Sequence, residues 1–153
     1  MRRIVPTIFS IFLLASCGRG ERDYSTWSNI PAEGWAYSDT LLLTPADTAL
    51  ADNDSLVRRP LRLGIVHSGD YQYSNLWLEV TYHGAGMVYR DTVNLRLADI
   101  YGRWLGQGFG SDYQKEVTLS PQADIDLTRP VGVRHIMRLD TLRHVMRVGI
   151  SVR

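Results

Sequence analysis

Hydrophobic and polar residues alternate one by one along much of this chain. Near residue 150, Met146, Val148, Ile150 and Val152 lie on one side of the alternation, and charged or small residues lie on the other. Successive side chains of an extended strand point to opposite faces, so this pattern predicts a strand with one buried face. Similar reasoning predicts seven strands in all, at residues 35–43, 61–65, 76–82, 87–95, 113–119, 134–139 and 146–152.

Turn-forming residues separate the predicted strands. Gly84, Ala85 and Gly86 lie between two of them, a spacing that predicts a β-hairpin. Residues 44–59 are rich in aspartate and are predicted to form a loop. No segment has a convincing amphipathic helical pattern. We therefore predict an all-β fold, an antiparallel β-sandwich of about seven strands with an immunoglobulin-like or jelly-roll-like arrangement, formed by residues 34–153.

The first residues have the layout of a lipoprotein signal peptide. Two arginines precede an apolar segment at residues 4–14. This segment is shorter than the roughly 20 residues of a membrane-spanning helix and has the length of a secretory signal. It closes on L-A-S-C, an aliphatic residue and two small residues before Cys17. We predict that residues 1–16 are removed, that Cys17 is acylated, and that residues 17–33 form a lipidated tether.

The predicted lipid at Cys17 determines where the protein is expected to reside. Cys17 is the only cysteine, so its acylation removes the single thiol of the chain. Two or more acyl chains give stable attachment to a membrane, whereas one chain gives marginal attachment. No acidic run follows Cys17, which favours a periplasm-facing position in the cell envelope. The sequence leaves open whether the inner or the outer membrane carries the protein.

Composition and charge restrict the class of partner. The chain is 44% hydrophobic and 22% charged, as in ordinary globular proteins. It has 17 Lys and Arg residues, two of them within the predicted signal peptide, against 16 Asp and Glu residues. Binding to nucleic acid requires a basic surface. A nearly neutral domain is therefore not expected to bind nucleic acid.

The residues offer no recognisable constellation for catalysis. The chain has no G-x-S-x-G, H-E-x-x-H or C-x-x-C motif. A glycine-rich run at residues 102–110 lacks the Lys-Ser/Thr pair of a phosphate-binding loop. The four histidines, at positions 67, 83, 135 and 144, do not have a short metal-ligand spacing. We predict a protein that is not an enzyme and has neither a metal site nor a cofactor.

Three segments together resemble one known family. They read Y-Q-Y-S-N-L-W-L at residues 71–78, L-A-D-I-Y-G-R-W-L-G-Q-G-F-G at residues 97–110, and H-I-M-R-L-D-T-L from residue 135, followed by V-M-R-V-G-I. In this order behind the predicted lipobox, they resemble the GldH family of gliding-motility lipoproteins of the Bacteroidetes. The chain departs from the expected pattern at Gln72, where the family leads us to expect proline, and at His144, where it leads us to expect glycine.

The resemblance implies a function and a set of partners. It implies a non-enzymatic component of the gliding motility machinery, associated with type IX secretion and acting through contacts with other envelope proteins. The residues themselves leave open a second function, that of a carbohydrate-binding envelope lipoprotein. In that alternative, Trp77, Tyr73 and Trp104 would form an exposed platform for a sugar.

Two of the segments concentrate the residue types that carry binding energy in interfaces. We predict that residues 71–77 and 97–110 lie side by side and form a docking patch, because tyrosine, tryptophan and arginine are common in interface hot spots. The candidate binding residues are Tyr71, Tyr73, Asn75, Trp77, Asp99, Arg103 and Trp104. The alternative is that the loop folds back as a lid on the core, with Trp77 and Trp104 acting as scaffold.

Overall fold

The computed structural model describes residues 23–45 and 55–153. The predicted signal peptide, Cys17 and most of the predicted loop at residues 44–59 lie outside these ranges. Within them the chain is all-β, and no helix is long and apolar enough to cross a membrane. The described residues form eleven strands: β1 (Tyr24–Asn29), β2 (Trp35–Ala36), β3 (Leu41–Leu43), β4 (Leu56–Ser68), β5 (Asn75–Gly84), β6 (Met87–Arg96), β7 (Gln107–Phe109), β8 (Asp112–Asp126), β9 (Val131–His135), β10 (Thr141–Leu142) and β11 (Val145–Val152).

Two antiparallel sheets enclose the core. In the described part of the chain, the first sheet has five strands in the order β1-β11-β4-β8-β7, and the second has four in the order β3-β9-β5-β6. The short strands β2 and β10 pair with each other. The predicted antiparallel all-β sandwich is confirmed.

The alternation of residues sets which side chains enter the core. The inward-facing residues of β4 and β5 are fully buried and belong to one hydrophobic cluster. They are Leu61, Leu63 and Ile65 in β4, and Leu76, Leu78 and Val80 in β5. Trp77 lies between two of these residues in sequence and is 41% exposed, on the outer face of the second sheet.

Met146 does not continue the buried face of β11 as predicted. It is exposed, whereas Val145 is buried in its place. The register of β11 against β4 shifts between Val145 and Arg147. A bulge of this kind places an extra residue in one strand and reverses the alternation on one side of it.

The predicted hairpin joins β5 to β6. Gly84 pairs with Met87, which leaves Ala85 and Gly86 as a two-residue turn. Both turn residues have positive φ, 48° and 76° respectively. Positive φ at both positions is the requirement of a type I′ turn, whose twist matches that of the two strands.

The folded domain begins before residue 34. β1 lies within the segment predicted to be a tether and pairs with β11, from Tyr24 with Val152 to Asn29 with Arg147. Its sequence, Y-S-T-W-S-N, has too few apolar residues to show a strand pattern. A strand at the edge of a sheet has one neighbour only, so it can be short and polar.

Other strand bounds differ from the prediction because turns and bulges interrupt or extend the pattern. The predicted strand at residues 35–43 is divided into β2 and β3 by a turn in which Asp39 N donates to Ala36 O. β4 and β8 are longer than predicted, and their register shifts on both sides of Leu61. Pro60 has no N–H to donate, which favours a bulge there.

Trp27 fixes β1 on the outer face of the first sheet. It pairs with Gly149 of β11, which in turn pairs with Gly64 of β4. A Cβ atom built on Gly149 would lie 2.5 Å from Cε2 and Cε3 of the indole, and one on Gly64 would lie 2.5 Å from Cη2. The guanidinium of Arg147 lies over the same ring, 5.5 Å from its centroid. The two glycines therefore provide the space in which the indole rests.

His144 has the backbone conformation of a glycine. Its φ is 68°, in the left-handed region that is costly for residues with a Cβ atom. This explains in physical terms why the family pattern leads us to expect glycine at this position. In this chain the His144 carbonyl accepts a hydrogen bond from Ser68 N at 3.0 Å.

The contact with Trp27 predicts that Gly149→Ala destabilises the domain. Alanine is compatible with a strand, so a loss of about 1–3 kcal/mol in the free energy of unfolding would come from displacement of the indole. Denaturant unfolding measures this loss. Ser151→Ala, on the same outer face of β11, is the matched control. The Ser151 hydroxyl is buried and finds no hydrogen-bond partner in the part of the chain that the structure describes, so its removal should be neutral or stabilising. Wild-type stability of Gly149→Ala would show that the contact does not hold β1.

Candidate functional site

The two segments singled out in the sequence lie side by side at one end of the sandwich. The backbone N–H groups of Leu97 and Ala98 both donate to Ser74 O, at 2.8 and 3.0 Å. Asn75, the first residue of β5, pairs with Arg96, the last residue of β6. These bonds bring residues 71–77 against residues 97–105.

A cluster of aromatic rings closes this end of the core around His67. The imidazole has no exposed surface, and its centroid lies 4.6 Å from that of Trp104, 5.5 Å from Tyr71 and 5.7 Å from Tyr113. Tyr73 packs against Tyr71 with ring centroids 5.6 Å apart. Trp104 is half-buried and packs against the hydrophobic core at this end of the sandwich.

The polar atoms of the cluster are only partly satisfied. Nδ1 of His67 lies 2.9 Å from Ser68 O and donates to it, whereas Nε2 is buried and has no hydrogen-bond partner among the described residues. Burial lowers the pKa of His67 from its ordinary value, because a charged imidazole would lose its hydration. The hydroxyl of Tyr71 donates to Asn75 O at 3.0 Å, and burial raises the Tyr71 pKa well above its ordinary value.

A single carboxylate holds the turn that projects from this cluster. Oδ1 of Asp99 accepts hydrogen bonds from the backbone N–H groups of Tyr101 and Arg103, both at 2.9 Å. Oδ2 accepts a bond from Nε of Arg103 at 2.7 Å. The backbone bond from Arg103 and the guanidinium of the same residue both hold the pKa of Asp99 below its usual range. Gly102 N donates to Asp99 O at 3.1 Å and closes the turn.

The turn presents two large apolar side chains to solvent. Ile100 is 80% exposed and Tyr101 is 77% exposed. The Arg103 guanidinium lies over the Tyr101 ring, 5.5 Å from its centroid. Sequence reasoning missed Ile100 and Tyr101. Turn positions between Asp and Gly are usually polar, so an apolar pair at this place is the signal that could have identified them.

The remaining predicted residues lie beside the turn. The amide Nδ2 of Asn75 donates to Oδ1 of Asn94 at 2.8 Å. Trp77 follows two residues later on the outer face of the second sheet, and in the described part of the chain it makes no ring contact with another aromatic residue. Tyr73 and Trp104 instead both contact the Tyr71 ring. Two of the three rings of the sugar-binding alternative therefore belong to the cluster around Tyr71, and the Trp77 ring lies apart from that cluster.

A groove on the opposite sheet gives no better support for a sugar site. It has a volume of about 470 Å³ and runs beside Trp27. One face of that indole lies on Gly64 and Gly149, and Arg147 lies over the ring. Stacking on a sugar needs an open aromatic face. Among residues 23–45 and 55–153, no three His, Cys, Asp or Glu side chains are grouped so that they could hold a metal ion.

A comparison with known protein families assigns the chain to a family. The family model described as GldH lipoprotein matches residues 22–152. The chain belongs to the GldH lipoprotein family. This GldH-family protein is thus an envelope lipoprotein associated with gliding motility and anchored to a membrane by lipid, and its family is not a known enzyme family. A comparison with curated proteins finds no match.

The buried imidazole of His67 predicts a domain that loses stability in mild acid. Its folded pKa lies below the ordinary value of 6.5, so the unfolded chain takes up the proton first as the pH falls below that value. The free energy of unfolding should therefore be highest above pH 6.5 and decrease below it. Denaturant unfolding at pH 7.5 and pH 5 measures the difference.

His67→Phe is the variant that assigns this pH dependence. It should reduce the loss between the two pH values without abolishing it, because burial also lowers the pKa of His135. Wild type and variant are compared by the decrease in the free energy of unfolding between pH 7.5 and pH 5. Their absolute stabilities are not compared, because phenylalanine also removes the hydrogen bond to Ser68 O. An equal loss in wild type and variant would show that His67 does not contribute.

Proposed function

We propose that this protein is a non-enzymatic component of the gliding motility machinery associated with type IX secretion, and that it binds another envelope protein through the turn at residues 99–103. The observation that carries the proposal is a hydrogen-bonded turn that exposes Ile100 and Tyr101. Exposed apolar groups on a fixed support are what a partner surface can bury with little ordering cost.

The proposed contact surface has a central and a supporting part. Ile100, Tyr101 and the stacked guanidinium of Arg103 form its centre, because tyrosine and arginine often carry interface energy. Asp99 holds the turn in shape. Trp77 and Asn75 lie beside it, at the start of β5.

Trp104 and Tyr71 act from below the proposed surface. Trp104 pairs through its backbone with Ala98 across the base of the turn, and its ring enters the His67 cluster. Tyr71 is buried and contacts both Trp104 and Tyr73. We assign Trp104 and Tyr71 to positioning of the turn. In this proposal the loop is both a docking patch, through its exposed turn, and a lid on the core, through Trp104.

The anchor belongs to the same proposal. We propose that residues 1–16 are cleaved, that Cys17 carries the acyl chains, and that the domain faces the periplasm. The lipobox L-A-S-C and the lipoprotein family support acylation at this position. A machine component held in this way would meet its partners at the membrane surface.

Replacement of both apolar residues of the turn tests the docking surface. Ile100→Ser combined with Tyr101→Ser should change the free energy of unfolding by no more than about 0.5 kcal/mol, because both side chains are exposed. The double variant should nevertheless lose its crosslinks to gliding or secretion proteins in cells. Crosslinking followed by mass spectrometry of the captured proteins measures this.

Two further variants complete this test. Leu42→Ser removes an apolar residue on β3 that is 69% exposed, and this variant should retain the crosslinks. Trp104→Ala should destabilise the domain by about 3–5 kcal/mol, as loss of a large packed aromatic does. Crosslinks that persist in the double variant, or that disappear equally with Leu42→Ser, would refute docking through this turn.

Cys17→Ala tests the anchor. The variant should incorporate no labelled palmitate, because alanine has no nucleophilic thiol to accept a lipid. Wild type grown in parallel should be labelled. Label recovered in the Cys17→Ala protein would refute acylation at this position.

A further inference from the structure

The strand register defines two ends of the sandwich. At one end, Tyr24 begins β1 and pairs with Val152, which pairs with Leu61. From Leu61 back to Leu56, β4 remains paired with β8. In this part of β8, the carbonyl of Asp124 lies against Gly84 at the end of β5. The turn of the β5–β6 hairpin is therefore at the same end as Tyr24. We call this the anchor end.

The turn at residues 99–103 lies at the other end, which we call the far end. β5 begins there at Asn75, beside Ser74 and Leu97, and runs to Gly84 at the anchor end. A strand of ten residues with a rise of about 3.3 Å per residue spans roughly 30 Å. The sandwich thus separates Tyr101 from the hairpin turn by about its whole length.

The chain between Cys17 and β1 is short. Six residues, 18–23, separate the cysteine from Tyr24. At about 3.3–3.6 Å per residue, even a fully extended chain of this length reaches only about 25 Å. This reach is less than the length of the sandwich, so an acylated Cys17 keeps the anchor end close to the membrane.

The anchor end carries the apolar surface that a membrane would bury. Met87 and Val88 follow the hairpin turn directly and are 60% and 61% exposed. Both residues line a shallow pocket together with the exposed Arg129, which has no acidic partner in the described part of the chain. Asp126, the acidic residue of that pocket, accepts hydrogen bonds from Thr128 through its carboxylate. Apolar side chains beside an exposed guanidinium match the boundary between acyl chains and phosphate headgroups.

We propose that the β5–β6 hairpin tip, formed by Met87 and Val88 with Arg129, rests in the headgroup layer of the membrane that carries the acyl chains. The sandwich then stands on its anchor end, and the turn at residues 99–103 faces away from the lipid. This proposal rests on the acylation of Cys17 proposed above and does not depend on the identity of the docking partner.

A single fluorescent label tests the orientation. Cys17 is the only native cysteine and its thiol is consumed by acylation, so Met87→Cys introduces the one thiol that can be labelled. The acylated mature protein, labelled with nitrobenzoxadiazole, is placed in vesicles of phosphatidylethanolamine and phosphatidylglycerol. We expect a blue shift of the emission and loss of intensity when the vesicles contain lipids with a spin-labelled acyl chain.

Two matched positions make the result decisive. The same label at Tyr101→Cys should show neither effect, because it lies at the far end. The label at Leu42→Cys, on the exposed side of β3, should also be unaffected and would be quenched instead if the domain lay on its side. An unquenched label at position 87, or equal quenching at all three positions, would overturn the proposed orientation.

Failure of the anchor is distinguished from failure of the orientation. Mass spectrometry of the amino-terminal peptide shows whether Cys17 carries acyl chains. A chain without them would refute both proposals. An acylated chain that floats with the vesicles but leaves the label at position 87 in water would refute the hairpin contact alone.

Discussion

The packing of β11 between β1 and β4 is the constraint on which the rest of the structure depends. Its inward side chains Val148, Ile150 and Val152 are almost completely buried and join the core shared with the second sheet. Its outward Gly149 leaves room for Trp27, which fixes the edge strand β1. One strand therefore links the hydrophobic core to the segment that leads towards the lipid anchor.

The far end of the sandwich combines rigidity with exposure. Packing of Trp104 and Tyr71 around His67 closes the core and secures the base of the turn. Asp99 then determines the conformation of the turn through three hydrogen bonds. Because these hydrogen bonds hold the turn in shape, the side chains of Ile100 and Tyr101 remain exposed to solvent. This separation of support from contact residues is the physical basis of the proposed docking function.

The two ends of the domain have complementary roles in the proposed arrangement. The short connection from Cys17 to Tyr24 limits how far the domain can move from the membrane. The β5–β6 hairpin joins the anchor end to the far end through β5. A lipoprotein arranged in this way can offer the same surface to its partner at a fixed height above the lipid.

The sequence by itself determined the class of fold, the hairpin at Ala85 and Gly86, and the buried faces of β4 and β5, because alternation and turn chemistry act between neighbouring residues. It also indicated that residues 71–77 lie beside the loop that begins at residue 97. Only the tertiary structure decided that β1 is a strand, because this mostly polar segment is extended through its backbone pairing with β11. It also decided that Trp104 supports the turn while Ile100 and Tyr101 are exposed. Which aromatic residue is buried depends on contacts with His67 and Tyr113, distant in sequence, and local pattern carries no information about such contacts.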